Sequence, residues 1–376
     1  MERICNLASI HPRNDARIFQ KECSTELQRY EVHYVTCDEK GDQLKDGIYV
    51  HGIRKYKTKI LRAIFAPFEV YRKAKLIDAC IYILHDPELL LIALLLKRTK
   101  TVVWDCHEYY VEEAMRKKWL CFLTRVLCFL YLKCAYRFII PRLDGVILAT
   151  EGMQGSLKSL QLKNVFVLHN YALSKNFKDL RAPDFDHAEY ILYTGTLWSI
   201  LINVIRALEL CKNPIKFALC ARTTSSNDWD IFSGIELPQN VCLMENLSIE
   251  KIKTLSTKCF TGICAYDATS SKADFSSVKL YEYAAQTLPS IVVASRENVS
   301  LKNLLKNNGH PLGLIVDSDP QAIADVIDYL YEHKEVARTM GMNGRKAFET
   351  KYNFESEADG FLKFLEEVSQ SKKSKK

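Results

Sequence analysis

Three short stretches of the 376-residue sequence carry side chains suited to acid–base or anion chemistry. Two are histidine–carboxylate runs, ILHDPELL with His85 and Asp86, and VVWDCHEYY with Asp105, His107 and Glu108. An imidazole beside a carboxylate can hold a polar substrate group and move a proton near neutral pH. His107, Glu108 and Asp86 are therefore the catalytic candidates: His107 to contact the substrate, Glu108 or Asp86 to orient it or act as general base. The third stretch is ADFSSVKLYEYAA. Ser276 and Ser277 fall where a helix should begin, so that free backbone N–H groups and the positive end of the dipole would face an anion such as a diphosphate. Lys279 and Leu280 follow. Glu282, about a turn and a half into that helix, could accept hydrogen bonds from both hydroxyls of a ribose. Near the N-terminus, Asp15 is placed to cap a helix over 15–29. Arg13 and Arg17 beside it could steer a phosphorylated group, or equally form ion pairs on the helix surface.

These residues need strand ends and helix starts to hold them, and the pattern supplies both. β-rich runs at Arg3–Ile10, Glu31–Cys37, Ile48–Arg54, Cys80–Leu84, Thr101–Trp104, Gly145–Ala149 and Asn164–Leu168 alternate with helical stretches, the longest at Glu112–Phe138. A polar segment after Leu168 reads as a linker. Alternation then resumes, with strands expected at Tyr190–Tyr193, Lys216–Cys220, Val241–Met244, Gly262–Ala265, Ser290–Ala294 and Gly313–Val316. Helices at Gln321–His333, Val336–Phe348 and Glu355–Val368 close the chain. The predicted division is an N-terminal α/β domain over 1–170, a linker over 171–188, a second α/β domain over 189–352, a helix over 353–370 and a disordered basic tail over 371–376. Two such domains with parallel sheets would leave a cleft between the carboxyl ends of their strands, where ligands of these folds bind.

Composition narrows the class. The chain is 48% hydrophobic with 14 glycines and 10 prolines, which excludes low-complexity and collagen-like sequence. Thirteen cysteines are scattered without zinc-type CxxC pairs and read as small buried hydrophobes in a reducing compartment, so a cytoplasmic protein is expected. The N-terminus lacks the pattern of a secretory signal. Residues 119–140 are apolar enough to test as a membrane span, yet they contain Arg125, Lys133 and Arg137, each costing roughly 2.5–3.5 kcal/mol at a span's centre. Charge is uneven: residues 1–170 hold 27 Lys and Arg against 19 Asp and Glu, and the remainder 25 against 26. Basic residues beside aromatic and aliphatic ones, as in Arg54–Arg62, Arg72–Lys75 and Arg116–Lys118, suit peripheral contact with an anionic membrane, or equally a solvated basic face. No motif for nucleic acid accompanies them, and none is expected as a partner.

Residues 265–294 resemble the nucleotide-sugar site of glycosyltransferase family 4, with Lys279, Leu280, Tyr281, Glu282, Tyr283, Ala284, Leu288, Pro289 and Ile291 matching its pattern. Residues 10–36 resemble the same family's first loop and helix through Asp15, Arg17, Ile18, Phe19, Lys21 and Glu22. The two histidine runs, and LYTGTLWS at 192–199, resemble further motifs of it. The resemblance implies a GT-B fold of two Rossmann-like domains, the first acceptor-side and the second binding the nucleotide sugar. It also implies a retaining, metal-independent transfer from a UDP- or GDP-linked donor to a glycan or lipid-linked acceptor, with no further cofactor, at the inner face of the cell membrane. Glu282 would contact the ribose and Asp274, eight residues earlier, would stand for the glutamate that contacts the donor sugar. Gly195 and Thr196 would wrap the diphosphate. Relatives carry an Arg and a Lys just after that loop; here Arg222 and Lys279 are the substitutes. Val278 and Thr287 replace the usual asparagine and glycine. An epimerase-like isomerase of nucleotide sugars and a non-catalytic nucleotide-sugar-binding subunit are the alternatives, the first separated by whether sugar reaches an acceptor.

Overall fold

The computed structural model describes residues 1–108, 110–116, 121–223, 226–265, 278–294 and 299–374. The chain forms two compact units, Met1–Asn170 with Glu357–Lys376, and Tyr171–Ser356.

The first unit is built on eight strands: β1 (Arg3–Leu7), β2 (Glu31–Thr36), β3 (Asp42–Lys45), β4 (Ile48–Gly52), β5 (Ile81–Leu84), β6 (Thr101–Cys106), β7 (Gly145–Leu148) and β8 (Val165–Val167). They lie in the order β3-β4-β2-β1-β5-β6-β7-β8 and pair in parallel, except that β3 runs antiparallel to β4. Every residue of β5, β6 and β7 is buried, because helices cover both faces of a parallel sheet and leave no polar side. Val70, Ala74 and Ile77 of the helix Lys59–Ile77, with Leu132, Ala135 and Tyr136 of the helix Phe122–Phe138, join Leu7, Tyr82 and Trp104 in one core. The chain builds outward from β1 through β2 to β4, then crosses to β5 on the other side of β1. The carboxyl ends of β1, β5 and β6 therefore flank the point where strand order reverses, the place where such sheets open a crevice.

The last helix, Glu355–Lys373, belongs by its packing to this first unit. Phe364 stacks on Phe166 with ring centroids 5.5 Å apart. His169 lies between Glu151, 2.8 Å from its Nε2, and Glu357, which also accepts from the His169 backbone N–H at 2.8 Å. Burial works against the charged ring, but the two carboxylates outweigh it and raise its pKa to about 9.

The second unit has six parallel strands, β9 (Tyr190–Gly195), β10 (Lys216–Ala221), β11 (Val241–Glu245), β12 (Cys259–Ala265), β13 (Ser290–Val293) and β14 (Gly313–Val316), in the order β11-β10-β9-β12-β13-β14. Here the order reverses between β9 and β12. Phe185 and Ala188, from the segment expected as a linker, are buried in this unit's core with Phe217, Phe260 and Tyr193.

Every expected strand forms. The addition is β3, whose DQLK is mostly exposed and shows no apolar alternation. Helices depart further from expectation. The stretch 112–138 is divided into Tyr110–Arg116 and Phe122–Phe138, and the helix Lys59–Ile77, capped by Thr58 Oγ1 accepting from Leu61 N at 3.2 Å, is an addition. The helix expected over 15–29 is instead a π-helical turn, Ile18–Cys23, followed by one α-turn, Ser24–Glu26. All thirteen cysteines are free thiols. Among the described residues no helix is long and apolar enough to cross a membrane.

Candidate functional site

The π-turn is what assembles the site of the first unit. Asp15 Oδ1 accepts from the backbone N–H groups of Arg17 and Ile18 at 2.8 and 2.9 Å, so it caps the turn as expected of an N-cap. Wide i→i+5 bonds follow, Gln20 N to Asp15 O and Glu22 N to Arg17 O. An α-helix advances about 100° per residue, which would leave side chains five apart about 140° away from each other. The wider turn brings Arg17 and Glu22 to the same buried face, with Nε 2.9 Å from Oε1. Arg17 thus faces inward, not onto the helix surface.

There it grips Asp105 with two parallel bonds, Nε to Oδ2 at 3.1 Å and Nη2 to Oδ1 at 2.8 Å, and donates from Nη1 to Leu168 O at 2.9 Å. Asp105 comes from β6, where it is fully buried in an otherwise apolar strand. Its Oδ2 also takes the imidazole of His107 and lies 3.1 Å from Nδ1 of His85. Burial would raise the Asp105 pKa, but Arg17 and His107 hold it well below the carboxylate range. His85, just past β5, is fully buried, and burial takes its pKa down to about 4 against the pull of Asp105.

These contacts fix the tautomers. Asn6 Nδ2 donates to Glu26 at 2.6 Å, which leaves Asn6 Oδ1 to accept from Nε2–H of His85 at 2.9 Å. Neutral His85 then offers a bare Nδ1, 3.3 Å from Nε2 of His107. The proton of His107 belongs on Nε2, shared between His85 and Asp105, and its Nδ1 is left as an acceptor. His107 is the partly exposed member of this group, so the buried residues behind it determine what it presents.

One guanidinium stands against three buried carboxyls. Burial and the Asp105 charge raise Glu22 well above the ordinary range, and burial with Asp105 raises Glu26 to about 8 despite its bond from Asn6. Glu22, His85, Asp105 and His107 place one ligand atom each within 4.8 Å of one another, a donor set that suits a divalent transition ion. Arg17 already supplies positive charge to two of those four groups.

Asp86 is buried at the end of β5. Its Oδ2 accepts from the backbone N–H groups of Ser9 and Ile10, the latter at 2.9 Å, and its Oδ1 lies 3.5 Å from Nε2 of His11. On its other side His11 meets Asp15 at 3.0 Å, and its ring packs edge-on against His107 with centroids 5.0 Å apart. Burial lowers the His11 pKa, yet Asp15 and Asp86 together raise it above the ordinary imidazole value. Glu108 is exposed beside His107. Arg13 turns elsewhere: it forks onto Asp38 at 2.6 and 2.9 Å and donates to Gly41 O at 2.8 Å, pinning the loop before β3. Asp15, Arg17, Asp86, His107 and Glu108 therefore share one neighbourhood and Arg13 does not. His11, Asn6, Glu22, Glu26 and His85 complete it.

In the second unit, Lys279 begins the helix Val278–Ala285 and lies across Gly195 at the carboxyl end of β9. Gly195 has φ +122°, a conformation that favours glycine, and a Cβ there would stand 2.6 Å from Lys279 Cε and 3.1 Å from Nζ, so the lysine would have to shift. The ammonium sits 4.9 Å from the centre of the Tyr193 ring and 3.5 Å from its hydroxyl, and burial pulls its pKa below the ordinary value. Arg222 follows β10 beside Gly195, its N–H donating to Gly195 O at 2.9 Å and its side chain exposed; Thr196 is also exposed. Glu282 is partly buried one turn beyond Lys279, and Leu280 faces the core. Tyr283 bridges the strand reversal, accepting from Thr194 N at 3.2 Å and donating to Ile263 O at 3.3 Å. Asp274, Ser276 and Ser277 lie outside the described residues.

No protein-family profile and no curated protein sequence matches this chain. Solved structures do. Sucrose-phosphate synthase from Thermosynechococcus elongatus superposes with a TM-score of 0.77 at 12% identity, covering 99% of this chain and 100% of that one. HepE of Anabaena, solved with UDP and glucose, gives 0.69 at 11% identity over 98% and 100%. The chain has the GT-B fold. A UDP-N-acetylglucosamine 2-epimerase from Listeria monocytogenes also superposes, with a TM-score of 0.59 at 12% identity over 96% and 94%. At such identities the likeness is one of fold.

Proposed function

We propose that this chain is a glycosyltransferase that moves a sugar from a UDP- or GDP-linked donor to a lipid-linked or polysaccharide acceptor, with retention of configuration and without a metal or other cofactor. The observation that carries the reading is Lys279 laid across Gly195 at the strand reversal of the second unit. A cation and an open stretch of backbone there suit a diphosphate, and an acid one turn along suits a ribose. In this reading Lys279, with Arg222, balances the charge that develops on the departing diphosphate. Thr196, Ser276 and Ser277 add donors to it, Glu282 holds the ribose, and Asp274 contacts the sugar.

The first unit supplies the groups that act on the sugar and acceptor. His107 offers Nδ1 as an acceptor to a sugar hydroxyl, held in that tautomer by Asp105, His85 and Asn6. Glu108, exposed beside it, is the better placed to take the acceptor proton. Asp86 is a positioning residue, because its oxygens hold the turn at 9–10 and face His11. Arg17 and Asp15 act behind the site.

Exposed apolar residues on the helices Lys59–Ile77 and Phe122–Phe138, among them Phe65, Phe68, Phe122 and Leu127, alternate with Lys and Arg and suit peripheral contact with an anionic bilayer at the inner face of the cell membrane.

The test is transfer of labelled sugar from UDP- and GDP-sugars into lipid-extracted and polysaccharide acceptors, with His107→Ala as control. The proposal expects label in an acceptor with one donor class, falling by about 10²-fold or more in the variant. The likeness to a 2-epimerase carries a second reading, an isomerase of the free nucleotide sugar. Conversion of the donor to its epimer without label in any acceptor would favour it and overturn transfer.

A further inference from the structure

One cavity among the described residues of the first unit does not contain the histidine–carboxylate cluster. It is a groove of about 670 Å³ beside it, within the roughly 300–1,000 Å³ usual for small-molecule sites. Cys106, the last residue of β6, and Glu108 just past it line the groove. The helix Phe122–Phe138 forms one wall, and Met153, Leu157 and Leu160 the other. Its lining is chiefly aliphatic, with Val111 and Leu130 adding to Met153, Leu157 and Leu160.

Two cations stand on that first wall. Lys133 and Arg137 are one turn apart on the same face and both line the groove. Each packs against an aromatic ring of its own helix, Lys133 Nζ 4.9 Å from the centre of Phe129 and Arg137 Cζ 6.0 Å from that of Phe138. Both are exposed, and no carboxylate of the described residues pairs with either. Glu108 is the acid among the described lining residues, so these carry more positive than negative charge. A long apolar trough headed by two cations does not suit a free sugar, whose hydroxyls would find few partners there. It suits one molecule with an apolar chain and a phosphate head.

We propose that this groove binds the acceptor, a single-chain lipid phosphate, with its chain along Leu130, Met153, Leu157 and Leu160 and its phosphate between Lys133 and Arg137. The proposal rests on the reading of a lipid-linked acceptor and gives that acceptor a place. Glu108, shared between the groove and the surroundings of His107, then lies toward the head-group end of the lipid. The apolar residues of the same helix that stay outside the groove, Phe122, Leu123 and Leu127, continue its apolar surface to solvent.

The test uses the full chain, without donor, titrated calorimetrically with farnesyl phosphate below its micelle concentration. Saturable one-to-one binding is expected, with farnesol at least about tenfold weaker and inorganic phosphate silent, because the site needs both chain and charge. Lys133→Glu/Arg137→Glu should weaken farnesyl phosphate by tenfold or more. Leu157→Trp, which fills the trough without touching the charges, should do the same. A wild-type far-UV circular dichroism spectrum and an unchanged melting temperature in both variants would show that they fold. Equal affinity for farnesol and farnesyl phosphate, or binding that both variants leave unchanged, would overturn the proposal. So would loss by the charge variant of binding to phosphatidylglycerol vesicles alone, which would make the two cations a bilayer contact. Because no turnover is read, failure here leaves sugar transfer untouched, and failure of transfer leaves this binding measurable.

Discussion

Replacing Glu26 by Gln should make the protein more stable above neutrality, and the structure gives the size of the effect. Glu26 is fully buried at the back of the His107 network, bonded through one oxygen to Asn6, and its pKa rises from 4.5 to about 8. A carboxyl raised in this way keeps its proton when folded and loses it when unfolded at any pH between those values. Its stability contribution is therefore fully present below pH 4.5 and is lost as pH climbs through 8. The slope is about 1.4 kcal/mol per pH unit inside that window, reaching about 3 kcal/mol by pH 7 and about 5 kcal/mol by pH 9. Glutamine has nearly the same shape, keeps an acceptor for Asn6 and cannot ionise. Urea unfolding followed by circular dichroism at intervals from pH 5 to 9 should show wild type falling relative to Glu26→Gln, with the difference opening through neutrality. Asp105, held low, titrates outside this window and does not confuse it. Parallel pH profiles for the two proteins would refute the buried, protonated state assigned to Glu26.

Two further substitutions test the second unit. Thr287 closes the helix Val278–Ala285 in a left-handed conformation, φ +60°, with Leu288 N bonded to Tyr283 O at 2.9 Å, and a β-branched residue is strained there. Thr287→Gly should raise stability by about 0.5–1 kcal/mol after the greater chain entropy of glycine is counted, and a lower melting temperature would contradict the strain. Gly195→Ala puts a methyl group 2.6 Å from Lys279 Cε at a positive φ, so it should cost about 1–3 kcal/mol and displace the lysine. Melting temperatures read both effects, and an unchanged nucleotide response in Gly195→Ala would separate Lys279 from the donor.

The strands were legible because a sheet covered on both faces demands unbroken apolar runs such as IYIL and GVIL. The strand β3 escaped because DQLK is an exposed edge whose pairing comes from the turn to β4, not from its own side chains. The site was half legible. Asp105 is a charge inside an apolar strand, and that misfit alone marks it. His85 and Asp86 were visible at a strand end, but which of them sits behind the other depends on Asn6, 79 residues away from His85 in sequence. Arg17 and Glu22 were read on a regular helix, where five residues would separate them. Their pairing follows from a π-turn that no periodicity announces. Arg13 looked as able as Arg17 to meet a phosphate until Asp38, 25 residues on, was found in its fork.

The central claim, that this chain binds a nucleotide sugar through Lys279 and Glu282, is tested most directly by thermal stabilisation. Wild type and Glu282→Ala are melted with UDP, GDP, ADP and CMP and with their sugars. One nucleotide class should stabilise wild type, by about 2.7 kcal/mol at a hundred times its dissociation constant, and the variant should lose that gain. If no nucleotide moves the wild-type transition, the donor site assigned to the second unit is wrong.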